Sequence, residues 1–181
     1  MPDLVLSDSR FTETYLRREE IAVRVGELGA EIAEDYAGRE PVLVAPLKAS
    51  IVFFADLSRA IPIFHSIDFV ELAGFGSAQP GGHTRIRLLK DLELEISERD
   101  VLVVEDIVDT GLTLNYLLRA FALRAPASVA IATLFDRPYR RLAHDLPVRY
   151  VGFTVPDELF VGYGFDLDER YRNLPDIHIA R

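Results

Sequence analysis

The chain has 181 residues, the length of one ordinary domain, and its 49% hydrophobic and 27% charged content excludes disorder, collagen and coiled coil. It contains no cysteine, which excludes disulfides, thiolate nucleophiles and metal sites built on sulfur. Its 20 Lys and Arg against 29 Asp and Glu leave a net charge of −9, which opposes attraction to a phosphate backbone and argues against nucleic acid as a partner.

No uncharged apolar run approaches the ~20 residues of a membrane span, so a soluble, cytoplasmic protein without a membrane partner is expected. Over 15–36, Ile21, Val25, Leu28 and Ile32 recur at helical spacing with charges between them, and Gly38 supplies a stop. Pro41-Val-Leu-Val-Ala is a continuous apolar run, which predicts a strand over 41–45 buried on both faces. Lys48 stands at its end, and Ser50 is placed to cap a helix running to residue 59. Residues 63–72, rich in branched and aromatic side chains, read as the next strand. Residues 73–84 hold four glycines and a proline and read as a loop. A weaker strand follows at 85–89, the strongest at 101–104, a helix over 112–124, and strands at 128–134 and 150–153. Alternating strands and helices predict one α/β domain over 1–181, with a parallel sheet covered by helices on both faces.

The chemistry is concentrated in Val101-Leu-Val-Val-Glu-Asp-Ile-Val-Asp-Thr-Gly-Leu-Thr, where a buried strand runs into three carboxylates and then into a hydroxyl-bearing turn that opens a helix. Strand ends of open α/β sheets are where ligands bind. Thr110, Gly111 and Thr113 offer hydroxyls and approachable amides at a helix N-terminus, a site for phosphate. Adjacent carboxylates such as Glu105 and Asp106 would repel that phosphate and suit a neutral diol or a divalent cation; a ribose 5-phosphate with magnesium meets both demands. A nucleoside-triphosphatase reading fails because no Gly-x-x-x-x-Gly-Lys-Ser/Thr loop is present, and Gly74-Phe-Gly-Ser-Ala-Gln lacks the third glycine and the helix of a dinucleotide fingerprint. His65, His144 and His178 have no partner at metal-ligand spacing, and His83 falls in the glycine-rich loop.

This segment resembles the phosphoribosyl pyrophosphate (PRPP) signature of type I phosphoribosyltransferases, and over 23–174 the order of motifs is similar to that of the hypoxanthine/guanine phosphoribosyltransferases. The resemblance implies a parallel-sheet fold with a small hood region, an enzyme that transfers the phosphoribosyl group of PRPP to a 6-oxopurine, a Mg2+ cofactor, and a homodimer or homotetramer. It assigns Glu105 and Asp106 to the ribose hydroxyls and a magnesium, and Asp109 to the purine proton. Asp109, Thr110, Gly111, Leu112 and Thr113 are assigned to the 5-phosphate. Leu47-Lys48-Ala-Ser matches the pyrophosphate loop, whose Leu-Lys bond is a cis peptide in the family. In Gly162-Tyr-Gly-Phe-Asp, Asp166 corresponds to the ligand of a second magnesium, and Arg172 to the arginine that neutralises pyrophosphate. Residues 73–84 take the place of a loop that closes over the reacting centre and excludes water.

Three departures from the family pattern fall on the purine side or on that loop. Arg137 stands where a lysine usually meets the 6-oxo group, offering a planar fork of different reach. Leu159 takes the place of an aromatic ring that stacks on the base, with Phe160 at the residue whose backbone reads it. Gly74-Phe75 replaces a Ser-Tyr pair in the closing loop. Two other readings stay open: a phosphoribosyltransferase with altered base specificity, such as for xanthine, and a non-catalytic PRPP-sensing regulator.

Overall fold

Uninterrupted Val, Ile, Leu and Ala runs form the centre of the molecule. In the computed structural model, which describes residues 11–75 and 85–181, strands β2 (Val42–Leu47), β5 (Asp100–Val108) and β6 (Ser128–Asp136) lie side by side and parallel. β3 (Ser66–Phe75) extends this sheet beyond β2 and β7 (Val148–Thr154) beyond β6, both parallel; β4 (Arg85–Lys90) closes one edge antiparallel, giving the order β4-β3-β2-β5-β6-β7. Alternation along the strands sends Leu43, Ala45, Leu102, Val104, Ala132 and Leu134 to one face, against helices α1 (Arg18–Asp35) and α2 (Ile51–Ala60). Val42, Val44, Val101, Val103 and Ile131 point to the other, where α3 (Leu112–Ala122) buries Leu114, Leu117 and Phe121. Both faces are covered, as the apolar runs require.

The α1 stripe is the predicted one, with Ile21, Val25, Leu28 and Ile32 buried, but the helix starts at Arg18. Tyr15 belongs instead to β1 (Phe11–Leu16), which pairs with β9 (Ile177–Ala180), itself paired with β8 (Leu159–Val161). This small antiparallel sheet packs on the carboxyl end of β6 through Tyr15 and Phe160, whose rings lie 6.1 and 4.9 Å from that of Phe135. None of its strands stood out in the sequence, because each is short and its partners lie far along the chain. Ser50 makes no capping bond; its hydroxyl donates to Pro46 O, so the predicted cap is a loop staple instead. The predicted loop at 73–84 also begins later: Ala73, Gly74 and Phe75 continue β3 and pair with Arg87, Ile86 and Arg85. The rest of that segment, with His83, lies outside the described residues. Among the described residues no helix is long and apolar enough to cross a membrane.

A buried carboxylate fixes the β4 edge. Asp68 in β3 is only 5% exposed and accepts from the amides of Phe69, Glu93 and Leu94 at 2.7–2.8 Å, with Lys90 Nζ at 3.6 Å. Burial alone would raise this carboxyl; the three amides and Lys90 outweigh it and hold it below the ordinary range. Stability from Asp68 is therefore present above the unfolded carboxylate range and lost as pH falls through the depressed folded value. Asp68→Asn is expected to cost about 2–4 kcal/mol at pH 7, roughly 5–10 °C in Tm, with the deficit shrinking below about pH 4. Thermal melts of both proteins from pH 3 to pH 8 check this.

Candidate active site

Between β2 and β5 the sheet reverses its winding: α2 carries the chain from β2 to β3 on one side, and α3 carries it from β5 to β6 on the other. β2 pairs with β5 only from Val42 to Val44, yet stays with β3 as far as Leu47, while β5 stays with β6 as far as Val108. Beyond Val44 the two central strands part, and a crevice opens at their carboxyl ends, the position at which open α/β sheets hold ligands. A cleft of about 230 Å³ lies there, lined among others by Lys48, Glu105, Asp106, Asp109, Thr110, Gly111 and Thr113. Leu112 is not among its lining residues, and its side chain is exposed.

The turn after β5 is shaped by Gly111, whose φ of +76° is readily adopted only without a β-carbon; it is the N-cap of α3. No side chain caps this helix, and Leu112 N stands 3.5 Å from Thr110 Oγ1, at the outer limit of a hydrogen bond. The first-turn amides therefore keep their capacity for an anion. Just upstream, Asp106 is buried and Glu105 half-buried beside it. Loss of water and the charge of Asp106 push the Glu105 carboxyl well above the usual range. Burial also raises Asp106, opposed by its hydrogen bonds to Glu105 and to the backbone and by the charge of Arg172.

Across the crevice the Leu47–Lys48 peptide is cis, as the resemblance implied. A hairpin over 162–174 docks on this loop so closely that a β-carbon on Gly164, at φ +100°, would stand 2.2 Å from Ala49 O. Arg172 in the hairpin donates to Gly164 O at 2.8 Å and lies 2.8 Å from Asp166 Oδ1. Lys48 Nζ and Arg172 Nη2 both reach Glu169 Oε2, at 3.2 and 3.4 Å. Bonding to Lys48 and then to Arg172 holds the Glu169 carboxyl below its ordinary range.

A second cleft of about 190 Å³ adjoins the first, sharing Ala49, Asp106 and Ile107 with it. Arg137, Glu158, Leu159, Phe160, Phe165 and Asp166 complete its lining. Arg137 is 8% exposed; its fork donates to Glu158 O and faces Asp157 at 3.6 Å, while Nε has no hydrogen-bond partner. The Phe160 ring is committed to the core, 4.9 Å from both Tyr15 and Phe135, whereas Leu159 is 46% exposed. Phe160 therefore cannot swing out to replace a stacking ring without opening that cluster.

The structure thus gathers the predicted residues around two joined clefts, apart from Leu112 and from Arg172, which lines neither cleft and meets Lys48 only through Glu169. It also brings in residues the sequence reading passed over. Arg140, on the single 3-10 turn Pro138–Arg140 after β6, lies 3.0 Å from Asp109 Oδ1 and pairs with Asp157 at 2.5 Å. One turn therefore sends Arg137 to the second cleft and Arg140 to the acid of the first, with Asp157 as shared counter-ion. The basic pair Arg140-Arg141 and the acidic pair Asp157-Glu158 were the only sequence signals for this clamp. Glu169 and Phe165 were likewise missed. Among the described residues no group of three or more His, Cys, Asp or Glu could hold a metal on its own. His65 is occupied by Ser58 and Ile63 O, and His178 by Thr14, in keeping with structural roles.

A family model described as phosphoribosyl transferase domain matches residues 12–168. The chain is similar to the hypoxanthine phosphoribosyltransferase of Salmonella typhimurium, at 46% identity over 166 residues, covering 90% of this chain and 92% of that protein. It is 40% identical over 169 residues to the hypoxanthine-guanine phosphoribosyltransferase of Bacillus subtilis, covering 93% of each. The crystal structure of a hypoxanthine phosphoribosyltransferase from Staphylococcus aureus superposes with a TM-score of 0.90 at 38% identity, over 97% of this chain and 95% of that one.

Proposed function

The chain belongs to the phosphoribosyltransferase family, in its hypoxanthine-guanine branch, and from that membership we propose how it salvages purine bases. It transfers the phosphoribosyl group of PRPP to N9 of hypoxanthine or guanine, giving IMP or GMP and pyrophosphate. The observation that carries the assignment of residues is the pair of joined clefts at the parting of β2 and β5, with acids and open amides in one and the unpartnered Arg137 Nε in the other. The xanthine-specific and regulatory readings are not favoured, since the relatives are named as hypoxanthine and hypoxanthine-guanine enzymes.

In this reading Glu105 and Asp106 hold the ribose hydroxyls, and the stretch from Asp109 to Thr113 wraps the 5-phosphate with hydroxyls and amides, Leu112 contributing its backbone. Lys48 and Arg172 hold the pyrophosphate. N9 of the base attacks C1 of the ribose, the C1–oxygen bond breaks with its electron pair going to pyrophosphate, and the proton that the base gives up passes to Asp109. Arg137 donates to the 6-oxo group, Leu159 covers the base, and the Phe160 backbone reads its edge.

Magnesium fits the donor chemistry: Glu105 and Asp106 are hard oxygen ligands whose carboxyls burial has raised, Asp166 would serve a second ion, and this cation commonly takes one or two carboxylates plus substrate phosphate oxygens. Bound there with PRPP, it would neutralise charge on the leaving group. Work in the cytoplasm and assembly as a homodimer or homotetramer complete the proposal and rest on the family resemblance.

The test is turnover with PRPP, magnesium and four bases side by side. Hypoxanthine and guanine are expected to react. Adenine, whose 6-amino group cannot accept from a guanidinium, should trail them by at least about 10²-fold in kcat/KM, because Arg137 would stay unpaired. Activity on none of hypoxanthine, guanine or xanthine would overturn the assignment.

A further inference from the structure

The two cations assigned to pyrophosphate share one counter-ion. Lys48 reaches it from the loop after β2 and Arg172 from the hairpin, and both meet the same oxygen, Glu169 Oε2. Asp166 also faces Arg172, but its other oxygen is pinned by the amide of Glu169 at 2.9 Å, so it is part of the hairpin's own framework. Among the described residues the Glu169 side chain bonds to Lys48 and Arg172 alone, and it is exposed, on a backbone turn of φ +61°.

We propose that Glu169 is an internal competitor for pyrophosphate, a carboxylate that claims Lys48 and Arg172 and must be displaced whenever the diphosphate of PRPP binds. The inference rests on the assignment of those two cations above. An exposed pair between long side chains is weak, so a ligand with several negative charges can displace it. The same carboxylate returns to the cations as pyrophosphate leaves and so favours product release, a step that limits many enzymes. Affinity for the donor is thereby traded for turnover.

Glu169→Gln keeps the shape of the side chain and the backbone amide that holds Asp166. The expected result is binding of magnesium pyrophosphate about three- to tenfold tighter by calorimetry, a similar fall in KM for PRPP, and an unchanged KM for hypoxanthine. In a Lys48→Ala background the gain should fall to less than about half, because one of the two contacts is already gone. Thermal melting of each variant checks that the fold is kept. Unchanged or weaker pyrophosphate binding in Glu169→Gln, with the wild type turning over hypoxanthine, would overturn this inference alone. A wild type that neither binds pyrophosphate nor turns over would overturn the site assignment, and this inference with it.

Discussion

Replacing Asp109 by Asn is expected to lower kcat/KM for hypoxanthine by about 10²- to 10⁴-fold while leaving the affinity for PRPP within a few-fold of wild type. The amide keeps the size of the side chain and can accept a hydrogen bond, but it cannot take up the proton that leaves the base. Asp109 stands at the cleft wall in the turn between the acid pair and Gly111, and Arg140 Nε lies 3.0 Å from its Oδ1. That contact crosses from the turn after β5 to the turn after β6, and Asp157 anchors Arg140 from beyond β7. The acid is therefore positioned by charge as well as by backbone. Since Arg140 loses an anionic partner in Asp109→Asn, part of the loss is positional, and Arg140→Ala should show that part alone as a smaller fall, about tenfold. Steady-state kinetics of both variants, with PRPP binding measured separately, distinguishes the two contributions. An Asp109→Asn enzyme within a few-fold of wild type would remove Asp109 from proton handling.

Gly164→Ala is the second large effect, and here stability and activity fall together. The added β-carbon would sit 2.2 Å from Ala49 O, a backbone atom with no side-chain freedom to yield, at a φ of +100° that alanine rarely adopts. The positive φ and the overlap each cost about 1–3 kcal/mol. The hairpin must then lift from the loop that carries Lys48, taking Arg172 and Asp166 with it. The expected outcome is a loss of about 2–5 kcal/mol of stability and at least about 10²-fold in kcat/KM, with KM for PRPP raised more than KM for hypoxanthine. Gly111→Ala offers the contrast. Its β-carbon would meet Leu146 Cδ1, the movable end of a side chain, so the cost there comes mainly from the φ of +76°.

Much of this architecture was legible because the relevant signals are local. The strand and turn from Val101 to Thr113 carry their own chemistry in thirteen consecutive residues, and the α1 stripe of Ile21, Val25, Leu28 and Ile32 follows from helical spacing alone. Lys48 was marked because it ends an apolar run, and the parting of β2 from β5 puts such strand ends at the crevice. The small sheet was not legible in detail, since β1 pairs with β9 across most of the chain and β8 has only three residues. Neither was the Arg140 clamp, whose partners lie 31 and 17 residues away in sequence and meet only once β5, β6 and β7 are aligned. Charged side chains on turns read as solvent-facing until the fold supplies an opposite charge. Ser50 shows the same limit from the other side: a residue type suited to helix capping was drawn away by Pro46 O, four positions earlier.

Arg137 illustrates how a departure can be read once its surroundings are known. From sequence it was a lysine replaced by a bulkier donor. In the fold it is held by Glu158 O and Asp157, lies 5.4 Å over the Phe160 ring, and keeps one buried N–H unpaired beside the second cleft. A buried donor without a partner is costly, and an oxo group of a base would relieve it. The exposed Leu159 beside it contributes apolar cover without the quadrupole of an aromatic ring.

The central claim is that the crevice between β2 and β5 grips a ribose phosphate, acids on the sugar and amides on the phosphate. A crystal structure with IMP bound tests it most directly. The account predicts the 5-phosphate against the amides and hydroxyls of Thr110, Gly111 and Thr113, the ribose hydroxyls within hydrogen-bond reach of Glu105 and Asp106, and the 6-oxo group at Arg137. Nucleotide density elsewhere, with that crevice empty, would contradict it.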